Sequence, residues 1–126
     1  MNLLESFKKT DISINVILPL FIGLAIYISD AKGLIPGYLN NHMADGVWAY
    51  SFQSCMLIIW ERKIYFICTL ATILCASSYE MLQFLNIFPG TADLTDVLFY
   101  LSFISIALAF NKFFKQKMKY EENYQN

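Results

Sequence analysis

Charge is scarce in this chain. Only 15% of its 126 residues are Asp, Glu, Lys or Arg, against about 25% in an ordinary soluble domain. That shortage excludes intrinsic disorder, which needs low hydrophobicity and high net charge. A nucleic-acid partner is excluded as well: nine Lys and Arg are offset by ten Asp and Glu, for a net charge of −1, and no basic surplus is left to meet phosphates. Histidine occurs once and cysteine three times. Cys55, Cys68 and Cys75 form neither a CxxC pair nor a metal-ligand spacing, and read as small packing residues. Glycine-rich phosphate loops, GxSxG elbows and HExxH helices are all missing. Neither a cofactor nor a metal is expected, and there is no internal repeat or low-complexity segment.

Apolar residues are abundant instead, at 57% of the chain. A soluble domain of this size leaves roughly a third of its unfolded-chain surface exposed, too much to hide so apolar a composition. The sequence therefore predicts a small integral membrane protein, a single domain of about four spans by the length each span requires. Four apolar runs carry the prediction: 12–28, 43–60, 64–85 and 94–110. The second is the weakest, because Asp45 and Gly46 interrupt its start. Strict alternation is absent, and each run is apolar around most of a helix. Helices satisfy their own backbone hydrogen bonds in lipid. The expected fold class is all-α, a polytopic four-helix transmembrane bundle.

The basic residues orient it. Lys8 and Lys9 precede the first run, Arg62 and Lys63 separate the second and third, and Lys112, Lys115, Lys117 and Lys119 follow the fourth; Lys32 alone lies on the other side. By the positive-inside rule both termini are cytoplasmic. The first run is followed by Ser29-Asp30-Ala31-Lys32, without a small-x-small cleavage site, and is expected to stay as an anchor. The tail from Lys112 is expected to fray beyond its first turns, with Lys112, Lys115 and Lys119 at a helical spacing suited to anionic lipid.

With that topology the polar residues gather at the outer ends of the spans. Asn40, Asn41, His42 and Asp45 lie in or near the first outer loop. Ser77, Glu80 and Gln83 form an i, i+3 stripe leading to a Pro89-Gly90-Thr91 turn, and Asp93 and Asp96 open the fourth run at the same spacing. An acid inside a span costs several kcal/mol unless paired or protonated, and usually faces an interior or a wet cavity. The spacing thus nominates Glu80, Gln83, Asp93, Asp96, His42 and Asp45 as one ligand-binding constellation. Plainer readings stand beside it: Asp93 and Asp45 as helix caps, Asp96 as a dipole-favoured acid, Glu80 and Gln83 as interhelical glue, and His42 as a solvated loop residue. No comparable cluster is expected at the inner ends, where a local ion pair accounts for Glu61.

The stretch Glu80-Met81-Leu82-Gln83, followed by Pro89-Gly90-Thr91-Ala92-Asp93-Leu94-Thr95-Asp96-Val97, resembles the signature of VanZ-like membrane proteins. In that family E-x-x-Q closes one span and D-x-x-D opens the next. Asn41-His42-Met43-Ala44-Asp45-Gly46-Val47-Trp48 is similar to small bacterial relatives of the same group. The likeness covers roughly residues 40–110 and is sharp over 80–97. The chain departs from the pattern where the family often has an Arg near the turn, and at Tyr100 and Phe103 where it often has Asn and Gly. The resemblance implies a bacterial cytoplasmic-membrane protein linked to the cell envelope and glycopeptide-antibiotic tolerance. The expected partners are the bilayer and a lipid headgroup or cell-wall precursor, with self-association left open. An enzyme acting on a lipid-linked substrate and an accessory subunit of a transporter are the alternative readings.

Overall fold

The computed structural model describes residues 3–34 and 38–125, with the side chains of residues 38–41 and 125 outside the description. It is all-helical. The first rod runs from Leu3 to Ala31 and comprises α1 (Leu3–Ile12), a π-helical turn (Ser13–Ile17) and α2 (Leu18–Ala31). Three single helices follow: α3 (Tyr38–Ile59), α4 (Phe66–Phe84) and α5 (Leu94–Gln125).

Local chemistry sets the breaks. Pro19 has no N–H to bond the carbonyl four residues back, and its ring crowds that carbonyl. The π turn lies immediately upstream, where the wider register takes up the misfit. Gly33, at φ 64°, turns the chain out of α2, and its neighbour Leu34 N–H reaches the Ser29 carbonyl at 3.0 Å. Asn86 ends α4 the same way, at φ 57°, while Ile87 N–H bonds the Leu82 carbonyl at 2.9 Å; both are left-handed C-terminal caps.

α3 is the central element. It packs along α5 and α2, and α4 leans on α3 and α5. Small residues permit the close approach: Gly23 of α2 lies under the Trp48 ring, and a Cβ on Gly46 would sit 2.5 Å from the Phe103 ring of α5. A compact apolar cluster of Ala49, Tyr100 and Ile104, flanked by Ile73, Ala76 and Leu108, joins α3, α4 and α5. The distribution of polarity is inverted relative to a soluble domain. Large apolar side chains such as Phe21, Phe66, Phe84, Leu94 and Phe110 are exposed, while Asp11, Asn15, His42, Gln53, Arg62, Glu80 and Asn111 are buried.

Among the described residues three helices are long and apolar enough to cross a membrane: Leu3–Ala31, Phe66–Phe84 and Leu94–Tyr124. The expectation of four spans is met only to that extent. α3 has the length, but His42, Asp45, Gln53 and two serines dilute its apolar content, and His42, Ser51, Gln53 and Ser54 are buried against the neighbouring helices. Three boundaries also differ from expectation. α3 begins at Tyr38, five residues before residue 43. The first rod begins nine residues before residue 12, because the polar residues Asp11 and Asn15 turn inward to partners. The tail is helical to Gln125 and does not fray after its first turns.

Candidate functional site

The Glu80–Asp96 stripe and the start of α3 meet at one end of the bundle. His42 lies one turn into α3, a helical and buried residue with 6% exposure, so the solvated-loop reading is excluded. Its Nδ1 pairs with Asp96 Oδ1, and its Nε2 lies 3.9 Å from Asp93 Oδ2. Because a carboxylate only accepts, Nδ1 carries the proton in that contact. Phe99 packs on the imidazole, centroids 5.6 Å apart. Asp93 is the N-cap of α5: its Oδ1 accepts the Thr95 N–H at 2.8 Å. That N–H and the Thr95 hydroxyl hold the Asp93 carboxyl below its ordinary range.

Glu80 is buried, at 7% exposure, and both its oxygens are engaged. Oε2 accepts the Asp93 N–H at 3.1 Å and Oε1 accepts the Tyr100 hydroxyl at 3.2 Å. Its charge thereby sits at the positive end of α5, which offsets part of the cost of burying it. Gln83 faces elsewhere. Its Nε2 donates to the Pro89 carbonyl at 3.3 Å, and it occupies the space a side chain on Gly90 would need; it closes the turn.

Asp45 differs from the other acids. It lies two turns inside α3 and is no cap. Among the described residues its carboxylate has no hydrogen bond or ion pair; its electrostatic neighbours are Asp96, Glu80 and His42. It lines a cavity of about 760 Å³ together with Asp30, Trp48, Tyr79 and Tyr100, a volume within the range of small-molecule sites. The walls are otherwise largely apolar, with Ala49, Phe52, Cys75 and Ala76 among them.

The six nominated residues therefore separate by role. His42, Glu80, Asp93 and Asp96 form one connected network, Gln83 stands apart at the turn, and Asp45 alone reaches the cavity wall. The network leaves Asp45 beside two further acids, Asp96 and Glu80. Asn40 and Asn41 lie outside the described side chains. Among the described residues no three His, Cys, Asp or Glu side chains are arranged to hold a metal ion.

Sequence reasoning missed Tyr100, although Asp93, Asp96 and Tyr100 share one face of α5 at i, i+3, i+7. Asp30, Trp48 and Tyr79 were missed too; each resembles an ordinary interfacial residue until α2, α3 and α4 are assembled.

A second buried polar network was also missed, at the opposite end of the bundle, where none was expected. The Arg62 guanidinium is only 1% exposed. Its Nε donates to Asp11 Oδ2 at 3.1 Å, Nη2 to Asp11 Oδ1, and Nη1 to Asn111 Oδ1 at 3.3 Å. Asn111 Nδ2 returns a bond to the Arg62 carbonyl at 3.0 Å, and Phe114 covers the guanidinium from 4.9 Å. Asn15 donates to Asp11 at 2.7 Å and accepts the Tyr50 hydroxyl at 2.6 Å. Arg62 is thus an internal clasp rather than an interfacial charge, and the Glu61–Lys63 pair at 3.9 Å is the local ion pair of that turn. The three guanidinium nitrogens of Arg62 and both oxygens of Asp11 are all engaged, so this cluster joins helices. No family model, curated protein or solved structure matches this chain.

Proposed function

We propose that this chain is a four-span protein of the bacterial cytoplasmic membrane, VanZ-like in type, that binds a cationic or hydroxyl-rich envelope ligand in the cavity beside Asp45. α3 is the fourth span, made tolerable in lipid by the helices that cover its polar side. The basic residues place both termini in the cytoplasm, so the cavity lies in the outer half of the bundle.

The observation that carries this reading is Asp45 itself, a carboxylate on a cavity wall with no hydrogen-bond partner among the described residues. Asp45 is half-buried, with its carboxylate open to the cavity, and no Lys or Arg is among the described lining residues. A ligand ammonium or hydroxyl group supplies the missing donor. His42, Asp96, Glu80 and Tyr100 are positioning residues: they fix α3, α4 and α5 around the cavity and keep its potential negative. The acid–base alternative, a protonated carboxyl beside an ionised one, has less support, since of the six nominated residues Asp45 alone lines the cavity.

Calorimetric titration of the purified protein in detergent with glucosamine and ethanolamine tests the reading. Binding is expected for the wild type. Asp45→Asn should weaken it about tenfold, the worth of one charge-assisted hydrogen bond. Equal binding by wild type and Asp45→Asn overturns it.

A further inference from the structure

The cavity has an open long side. Among the described residues α2 and α4 stay more than 8 Å apart, Cα to Cα, although each packs on α3. The cavity is the cleft between them, floored by α3. Along that floor it extends from Ala44 to Phe52, about 12 Å at the rise of a helix. The hydrocarbon of one leaflet is about 15 Å deep, half the bilayer core. Polarity is graded along the cleft. Asp30, Asp45 and Tyr79 mark the end shared with His42, and Trp48, Ala49, Phe52, Cys75 and Ala76 continue toward the middle of the bundle, with Thr72 below them donating its hydroxyl to the Cys68 carbonyl.

We infer that the cleft is entered sideways from the bilayer, and that its ligand is an amphiphile with an amine-bearing headgroup and a single chain laid against α3. The inference rests on the binding reading above and specifies its ligand. A soluble sugar or amine uses only the acidic end and leaves the apolar length without purpose. A lipid tail alone has no use for two carboxylates. An amphiphile standing in one leaflet matches both, with its amine at the depth of Asp30 and Asp45 and its chain beside Trp48 and Phe52. The flanking side chains Tyr27, Phe52 and Tyr79 are exposed along the opening, as a lipid-facing mouth requires.

Trp48 makes the inference measurable. The other tryptophan is Trp60, beyond the end of α3 and stacked edge-on against Tyr65. Trp60→Phe leaves Trp48 as the sole indole. The protein is placed in nanodiscs of saturated zwitterionic lipid doped with single-chain amphiphiles brominated along the chain, bearing either a primary amine or a zwitterionic headgroup. The amine form should quench Trp48 at about one-tenth the mole fraction the zwitterionic form needs, as expected for one charge-assisted contact. Asp45→Asn should abolish that difference, and Asp30→Asn should reduce it.

Equal quenching by both amphiphiles overturns the amine-headed ligand, and absence of quenching by either overturns lateral entry. If at the same time glucosamine still binds in an Asp45-dependent way, the binding reading survives and only the amphiphile fails. If neither depends on Asp45, both fall. Intermolecular crosslinking between Tyr27→Cys and Tyr79→Cys proteins that blocks quenching by either amphiphile shows a second copy in the cleft, and also overturns the inference.

Discussion

Arg62 is a cation held almost out of contact with water, in a left-handed backbone conformation at φ 61° that a bulky side chain normally avoids. The conformation turns its side chain back into the bundle, where the planar fork meets both oxygens of Asp11. Lysine, a point charge, does not reproduce that geometry. Removing one partner strands the other charge, so Arg62→Met should destabilise the protein by about 3–5 kcal/mol, and Arg62→Lys should recover only a minor part. The double variant Arg62→Met, Asp11→Leu should recover most of the loss, since two apolar side chains leave no buried charge behind. Unfolding in mixed detergent micelles measures all three. Nothing local announces this pair: its members are 51 positions apart, and an Arg beside a Lys between two spans has the pattern of a topogenic charge. Asp93 is the opposite case, since its capping role follows from its place one residue before a helix. Its carboxyl is held below the ordinary value of 3.8 by Thr95. A depressed pKa contributes stability above the unfolded value, and that contribution disappears as pH falls through the folded value. Asp93→Ala should therefore be less stable than wild type at pH 6, and the two should converge below pH 3.8.

α3 shows why a helix can be plain in sequence while its environment is not. The run beginning near Met43 marks its later turns but not its start at Tyr38, and His42, Asp45, Ser51, Gln53 and Ser54 make it read as a marginal span. Three of its neighbours, α2, α4 and α5, were predicted from apolar content alone, because lipid-facing surface needs no specific partner. α3 needs partners, and those come from distant segments: Asp96 for His42, Thr69 for Gln53 at 3.3 Å, Asn15 for Tyr50. The contact that allows this is small. Gly46 brings α3 close to Phe103, and Gly23 brings α2 under Trp48. Gly46→Val should cost about 1–3 kcal/mol by overpacking, and because Gly46 adjoins Asp45 it should also weaken glucosamine binding. An exposed alternative on the same bundle, Leu98→Val on α5, should leave both unchanged. Circular dichroism melts and calorimetry on the same preparations separate these outcomes.

For the whole molecule, the two polar networks divide the bundle into ends of different character. One end is a closed clasp around Arg62. The other is an acidic network with an open cavity beside it, and which side of the membrane each faces decides what the cavity can meet. Pairing of Arg62 with Asp11 removes one cation from the topological balance, yet seven lysines, Lys8, Lys9, Lys63, Lys112, Lys115, Lys117 and Lys119, remain at the clasp end against Lys32 at the other. By the positive-inside rule those charges predict a cytoplasmic clasp. With Cys55, Cys68 and Cys75 replaced by alanine, a single cysteine at Phe88 in the α4–α5 turn should react with a membrane-impermeant maleimide on intact cells. A cysteine at Lys115 should react only after permeabilisation. The reverse labelling would put the Asp45 cleft in the inner leaflet and withdraw the envelope ligand, while leaving the calorimetric test of Asp45 untouched. Labelling of both positions from one side would mean that α5, the helix between them, does not cross the membrane. In that case His42 and Asp96 could not meet within a four-span bundle, and Asp96→Asn should leave glucosamine binding unchanged.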